Sequence, residues 1–260
     1  MIEANGVWRD WPLILAYHSV SRGREDALAV RTDQFEWQMR WLHESGYRSI
    51  TLADYVARTP SKGERVVIIT FDDGYRDNYL EAFPILMKFG FVATFFLVSE
   101  YIDTDRSFAW DAEKMSPDGR ASYQTLTWAQ VHEMAGCGNE FGSHTCTHRE
   151  LVGLSRQECA EELTRSRAEL EAALEREVVS FSYPRGSLDD GVVEAVERAG
   201  YRAAVVTPPR SGIPLSRFTL RRMGVYQGNA PRTFRLKLTR LARGNYERLK
   251  WLQGKRGSRA

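Results

Sequence analysis

Short apolar runs alternate with amphipathic stretches along most of this chain. Runs rich in β-branched and aromatic residues predict buried strands, and apolar residues three or four positions apart predict helices that cover them. Strands are predicted over residues 13–17, 66–71, 93–98, 140–142, 178–182, 201–206 and 217–225. Helices are predicted between residues 32 and 46 and over residues 78–88, 128–137, 155–174 and 190–199. This alternation is typical of a parallel sheet, either open or closed.

Capping residues and breakers sharpen several of these bounds. Thr32 is predicted to cap the first helix, and Ser155 with Glu158 predicts a reciprocal capping box on the longest one. Pro84 interrupts a helical pattern, so that helix is expected to kink or restart there. Residues 101–127 show no clear period, and a loop of that length inside a compact domain is usually functional or mobile.

Two adjacent acids, Asp72 and Asp73, follow the predicted strand 66–71 and precede Gly74. Side chains alternate along a strand, so two neighbouring acids cannot both lie on one solvated face. Two like charges at the rim of a core cost free energy unless a cation or a shared proton is present. An acidic turn after a core strand is the alternative for this pair taken alone.

Two histidines four residues apart, His144 and His148, follow the predicted strand 140–142 at a strand-to-helix junction. In a helical turn they lie on one face, and neutral imidazoles at this spacing commonly hold zinc. The same spacing also arises by chance. One carboxylate and two histidines form a three-ligand site with an open position, which is the layout of a catalytic zinc centre.

Other polar groups also lie at strand ends. His18 follows the first predicted strand, and Tyr183-Pro184 follows the strand 178–182. In parallel barrels the carboxyl ends of the strands are where the chemistry gathers. We therefore expect these groups to converge with the acids and the histidine pair on one active site.

The segments Thr70-Phe71-Asp72-Asp73-Gly74 and Ser143-His144-Thr145-Cys146-Thr147-His148 resemble the first two motifs of the polysaccharide deacetylases. This family is also called carbohydrate esterase family four or the NodB-homology family. The resemblance extends over roughly residues 13–225. It implies an α/β fold, a distorted (β/α) barrel usually with fewer than eight complete strands, and an active site at the carboxyl ends of its strands.

The resemblance also implies roles for individual residues. Asp73, His144 and His148 correspond to the metal ligands, and Asp72 corresponds to the general base. A third motif, Phe181-Ser182-Tyr183-Pro184-Arg185-Gly186, supplies the backbone N–H of Arg185 to the oxyanion. Tyr183 and Pro184 accompany it at the substrate. The implied cofactor is a divalent metal, zinc foremost, and His and Asp ligands also accept cobalt or nickel.

The third motif departs from the family pattern. Ser182 stands where the family usually has an arginine that orients the catalytic aspartate, and Arg185 stands where an aromatic residue is usual. Arg222 is one substitute, because it can pair with Asp72. Arg185 is another charged group, able to reach the substrate or a phosphate. A surface ion pair is the alternative for either arginine.

The family's late histidine, the general acid, is also absent, since no histidine follows His148. Ala16-Tyr17-His18 is similar to the Tyr-His motif of exopolysaccharide deacetylases with a rearranged strand order. His18 is therefore the expected general acid, and a core histidine bonded to the backbone is the alternative. His43 and His132 lie on predicted helices and receive no role.

We therefore predict a metal-dependent hydrolase that removes an N-acetyl group from an aminosugar of a bacterial glycan or glycan precursor. A deformylase or deacetylase of another small amide is an alternative within enzymes. A catalytically silent glycan-binding protein on the same fold is an alternative outside them, and the retention of all four motif residues argues against it.

Cysteine use and the first residues bear on the compartment. Cys137, Cys146 and Cys159 form no CxxC pair, which disfavours a disulfide framework and favours a reducing compartment. Residues 1–6 have neither a basic nor an apolar segment, so a cytoplasmic protein is expected. Cys146 is interpreted as a packing residue, with a thiolate ligand as the alternative.

The net charge of +2 conceals a basic end of the chain. Residues 231–260 carry ten Lys or Arg and one acid, with apolar residues at roughly helical spacing. We predict a catalytic domain over residues 1–230 and a basic amphipathic tail over 231–260. Such a tail suits an anionic surface at the inner membrane face, and packing on the body is the alternative. Nucleic acid is not an expected partner, because no binding motif is present. The sequence gives no indication of the oligomeric state.

Overall fold

The computed structural model describes residues 12–24, 26–61, 63–114, 123–207 and 214–239. The strands are β1 (Leu13–Tyr17), β2 (Ser19–Val20), β3 (Ala29–Val30), β4 (Arg48–Ser49), β5 (Val66–Phe71), β6 (Thr94–Leu97), β7 (Glu140–Ser143), β8 (Ser180–Ser182), β9 (Ala203–Val206), β10 (Leu220–Arg221) and β11 (Met223–Gly224). The helices are α1 (Thr32–Glu44), α2 (Leu52–Ala57), α3 (Phe83–Lys88), α4 (Trp128–Gly136), α5 (Arg156–Leu174), α6 (Asp190–Arg198) and α7 (Pro231–Leu238).

Within the described residues, nine strands form one sheet in the order β10-β9-β8-β7-β6-β5-β1-β11, with β4 beside β5. All of these strand pairs are parallel. The two ends of the sheet, β10 and β11, are separated in the chain by Arg222 alone. The segment from Leu220 to Gly224 therefore joins β9 to β1 and nearly closes the sheet, which confirms the predicted (β/α) barrel.

The alternation of side chains along the strands divides the core in two. Ile14, Ile68 and Phe96 belong to an inner cluster of the barrel. Leu15 and Ile69, their neighbours in the chain, pack in the larger cluster with the covering helices. The central strands are therefore buried on both faces, as expected for a parallel sheet covered by helices.

Local signals are borne out in most but not all places. The bounds of β1 and β5 equal the predicted ones, and the Ser155–Glu158 capping box is present at α5. Pro84 lies at the start of α3, which follows a π-helical turn, so the helix restarts there. The predicted cap Thr32 is wrong, because Thr32 is already helical and Arg31 precedes it without a side-chain cap.

The end of the described chain packs on the body. In α7, Phe234 and Leu238 are buried. The centroid of the Phe234 ring lies 6.0 Å from that of Trp37 and 6.4 Å from that of Trp41, both on α1. This part of the predicted tail follows the packed alternative. Residues 1–6 and 240–260, which carry the other predictions about the termini, lie outside the described residues. In the part of the chain that the structure describes, no helix has the length and apolarity needed to cross a membrane.

Candidate metal centre and active-site cleft

Asp73, His144 and His148 converge at the carboxyl ends of β5 and β7, and their ligand atoms lie within 4.8 Å of one another. Asp73 Oδ1 is 3.6 Å from His144 Nε2 and 3.4 Å from His148 Nε2. Asp73 Oδ1 is nevertheless buried without a hydrogen-bond partner among the described residues. An unpartnered buried carboxylate oxygen facing two imidazole nitrogens fits a divalent cation.

Left-handed backbone conformations orient the three candidate ligands. Asp73 and Gly74 have φ of 72° and 69°, which turns the chain sharply after β5. A Cβ on Gly74 would lie 2.8 Å from the Leu97 side chain, so any larger residue here would also have to displace that buried leucine. The histidine segment is not the predicted helical turn. Thr145 and His148 have φ of 69° and 63°, and this irregular loop, not a helix, brings the two imidazoles together.

Hydrogen bonding and burial prepare the first histidine for a metal. His144 Nδ1 faces the Ser182 carbonyl at 2.7 Å, so it carries the proton and leaves the lone pair on Nε2. Burial lowers the pKa of His144 to about 4, although Asp72 opposes the shift. The imidazole is therefore neutral at neutral pH, which is the form that ligates metals.

The second acid is held in a different way. Arg222 donates to both Asp72 oxygens at 2.7 and 2.6 Å, and both side chains are buried. The guanidinium also donates to Thr70, Thr207 and Ser182. Burial raises the pKa of Asp72, but the charge and hydrogen bonds of Arg222, together with His144 and His18, outweigh burial and hold that pKa well below its ordinary value. The pairing expected from the departure at Ser182 is thus present.

His18 lies beside this pair. Its Nε2 is 4.0 Å from Asp72 Oδ2, and its side chain is 17% exposed. Its Nδ1 is buried without a hydrogen-bond partner among the described residues, which does not favour the alternative of a backbone-bonded core histidine. The Asn78 amide donates to the His18 carbonyl at 2.8 Å, which fixes the backbone that carries the ring.

A cleft of about 360 Å³ opens above these groups. It is lined by the motif residues and by side chains from distant segments: His18, Leu28, Asp72, Asp73, Trp110, His144, His148, Tyr183, Arg185, Thr207 and Tyr226. The Trp110 ring lies 4.5 Å from the His148 ring. Trp110 comes from the aperiodic stretch 101–127, whose lack of period was its only sequence signal. No sequence signal pointed to Leu28, Thr207 or Tyr226 as cleft residues.

The third motif contributes one wall of the cleft. The Tyr183 hydroxyl donates to the Phe218 carbonyl at 2.9 Å, so this buried ring is a structural support. Pro184 starts a short turn in which Arg185 has φ of 54°. The Arg185 side chain is exposed, 3.6 Å from Glu150 and 5.8 Å from the Trp110 ring. The Arg185 side chain thus takes part in the surface ion pair that was its alternative, at the mouth of the cleft.

The remaining candidates lie elsewhere. His43 packs near Phe89, and His132 is exposed on α4. Cys146 is buried, with its sulfur 3.2 Å from Arg165 Nε, and it is not part of the ligand cluster. The packing interpretation of Cys146 is confirmed.

A family model described as polysaccharide deacetylase matches residues 59–204. YxkH of Bacillus subtilis strain 168, which carries the name of a polysaccharide deacetylase, is 35% identical over 199 residues, covering 75% of this chain and 64% of YxkH. The poly-β-1,6-N-acetyl-D-glucosamine N-deacetylase of Escherichia coli K12 is 32% identical over 149 residues, 52% of this chain. The match spans 21% of the length of the Escherichia coli enzyme. This chain therefore covers less than two thirds of the length of either relative.

Solved structures share the fold. BC0361, a polysaccharide deacetylase from Bacillus cereus, superposes with a TM-score of 0.72 at 24% identity. The superposition covers 87% of this chain and 68% of BC0361. At that identity the likeness establishes the architecture alone.

Proposed function

Because this chain belongs to the polysaccharide deacetylase family, we propose that it is a metal-dependent hydrolase that removes an N-acetyl group from an aminosugar. The observation that carries the proposal is the convergence of Asp73, His144 and His148 beside the buried Asp72–Arg222 pair. Water attacks the acetamide carbonyl carbon, the C–N bond breaks, and acetate and a free amine are released.

Asp73, His144 and His148 would hold the metal. A bound divalent ion polarises a carbonyl oxygen and lowers the pKa of water toward neutrality. Zinc suits one carboxylate and two imidazoles, and cobalt and nickel accept the same donors.

Asp72 acts as the general base in this proposal. Its depressed pKa keeps it ionised at neutral pH, and Arg222 fixes both oxygens so that the carboxylate faces the cleft in one orientation. An ionised, oriented carboxylate within the cleft can accept the proton of the attacking water.

His18 acts as the general acid. An amine leaves an amide poorly unless its nitrogen is protonated as the C–N bond breaks, and a protonated imidazole can donate that proton. Its Nε2 lies 4.0 Å from Asp72, so both proton-transfer groups face one reaction centre. The backbone N–H of Arg185, in the left-handed turn after Pro184, supplies a donor for the oxyanion.

The substrate in this proposal is an N-acetylated sugar of a bacterial glycan or of its precursor. The name of the Escherichia coli relative, a poly-β-1,6-N-acetyl-D-glucosamine N-deacetylase, supports N-acetylglucosamine as the sugar. The Arg185 side chain, which lines the cleft, is exposed to solvent, and this suits a bulky glycan better than a small free amide.

The test is acetate release by the zinc-loaded protein from β-1,6- and β-1,4-linked N-acetylglucosamine oligomers and from N-acetylated amino acids. We expect release from a sugar substrate. Asp72→Asn should retain zinc and lose about two to four orders of magnitude in kcat. Asp73→Asn, His144→Ala and His148→Ala should lose zinc, measured by elemental analysis. Turnover of the amino acids alone would favour the small-amide alternative, and no turnover with full zinc occupancy would favour the glycan-binding one.

A further inference from the structure

We propose that Glu162 of α5 is a positioning residue that sets the spacing of the two histidines of the metal centre. The inference rests on the proposed function, because that function assigns His144 and His148 as metal ligands. Glu162 touches neither histidine and lies on a helix outside the barrel. Its carboxylate reaches the loop between them.

One carboxylate binds three polar groups of that loop. Glu162 Oε2 accepts from the backbone N–H of Cys146 at 3.0 Å and of Thr147 at 3.1 Å. Glu162 Oε1 accepts from the Thr147 hydroxyl at 2.5 Å. Glu162 is only 7% exposed, so these bonds are shielded from water. Hydrogen bonds to an ionised acceptor are stronger than those between neutral groups.

The loop needs an external anchor because its backbone is strained. Thr145 and His148 both have left-handed φ, and a β-branched residue such as Thr145 is an outlier there. Such conformations persist only when the surroundings enforce them. The carbonyls of Thr145 and Cys146 accept from Ser99 and Glu100 on one side. Glu162 takes the N–H groups of Cys146 and Thr147 on the other.

The loop is thus clamped between the segment after β6 and helix α5. Each residue from Thr145 to Thr147 has a backbone group fixed by one of these partners, and the histidines lie at the two ends of this clamped stretch. Releasing the α5 side frees the N–H groups next to His148 while His144 stays bonded to Leu97 and Ser182. The His148 N–H still donates to the Thr145 hydroxyl, but the residues between them lose their contacts to α5. The separation of the two imidazoles is then less tightly fixed.

Glutamine at position 162 separates geometry from charge. Its amide oxygen can accept the two backbone N–H groups, and its NH₂ can donate to the Thr147 hydroxyl oxygen, since a hydroxyl also accepts. Glu162→Gln therefore preserves the clamp. Glu162→Ala removes the clamp. Glu162→Asp keeps the charge, but its side chain is one methylene shorter and cannot reach all three groups. Glu161→Ala, at the exposed neighbouring position on α5, is the matched control.

The experiment is a zinc titration of the metal-free full chain against a chromophoric chelator, held well below the unfolding temperature of each variant. Loss of groups that orient metal ligands typically weakens metal affinity about 10–100-fold, and we expect Glu162→Ala to fall in this range. Glu162→Asp should weaken zinc binding too, while Glu162→Gln and Glu161→Ala should stay near wild type. The rise in unfolding temperature on adding zinc should shrink in the same order.

A residue that only stabilises the fold would lower the unfolding temperature and leave the zinc affinity of the folded protein unchanged. Wild-type affinity in Glu162→Ala, or in Glu162→Asp if the alanine variant does not fold, would overturn the inference and leave the proposed function intact. Failure of the wild-type protein to bind zinc would instead refute the metal site itself.

Discussion

Asp72 and Asp73 are adjacent in the chain, yet their carboxylates have different partners. Asp72 is buried against the positive charge of Arg222, whereas Asp73 Oδ1 faces two imidazoles and has no hydrogen-bond partner among the described residues. The left-handed φ of Asp73 separates the two side chains. In the proposed mechanism one residue type thus serves both as base and as ligand, because the direction of the backbone sets the surroundings of each side chain.

Arg222 should set the pH below which kcat/KM falls. The guanidinium favours the ionised form of Asp72, so removing it raises the pKa of that carboxyl, and protonation then inactivates the base at a higher pH. In Arg222→Met the acid limb of kcat/KM should move to higher pH, with a smaller move in Arg222→Lys. Breaking the buried pair should also cost about 3–5 kcal/mol in the free energy of unfolding. An unmoved limb in a folded variant would show that Arg222 does not tune Asp72. Arg198→Met, exposed on α6, is the control.

His18→Ala should separate leaving-group protonation from the rest of the reaction. The variant should fold and bind zinc like the wild type, because His18 is outside the ligand cluster. We expect about a hundredfold or greater loss in kcat on an acetamide. The loss should be much smaller on an activated acetyl ester, whose leaving group needs no proton. Equal losses on both substrates would contradict the assignment of His18 as the general acid.

At the scale of elements, the sequence predicts the strands and helices whose positions follow from a buried apolar run or a helical period. The bounds of β1 and β5 follow from runs that are buried on both faces, and α5 follows from its capping box. A spacing of four predicts a helical turn from His144 to His148, and this prediction is wrong. The spacing alone cannot reveal the left-handed φ of Thr145. Trp110 enters the cleft through tertiary contacts, which carry no local period.

The turn after β5 should be sensitive to a single methyl group. An alanine at Gly74 would meet both a left-handed φ and the Leu97 side chain, whereas Gly90 has a similar φ of 66° and nothing within 4 Å of an added Cβ. Gly90→Ala should lose about 1–2 kcal/mol in the free energy of unfolding from backbone strain alone. Gly74→Ala should lose more, and it should also bind zinc less tightly because Asp73 is displaced. Denaturant unfolding and zinc titration check both values, and equal losses of stability in the two variants would argue against the steric part.

At the scale of the molecule, the basic end of the chain has two parts. Helix α7 packs on α1 through Phe234, and residues 240–260 carry most of the positive charge. We propose that this last segment binds anionic surfaces. Vesicles containing phosphatidylglycerol should sediment the full chain at low salt, less as salt rises, and less for a chain ending at Thr239. Ending the chain after α7 keeps Trp37 and Trp41 covered. Equal sedimentation of both chains would refute the proposal.

Closure of the barrel makes the Asp72–Arg222 pair depend on a late part of the chain. β11 pairs with β1 across about the whole described length of the chain, with Leu15 opposite Met223, and Arg222 enters the site through this closure. All three residues of the candidate metal centre precede position 149, whereas Arg222 is synthesised much later. Asp72 can gain its buried guanidinium partner only once the chain has been made through residue 222. In the proposed mechanism the general base is therefore oriented only after the segment that joins β9 to β1 is in place.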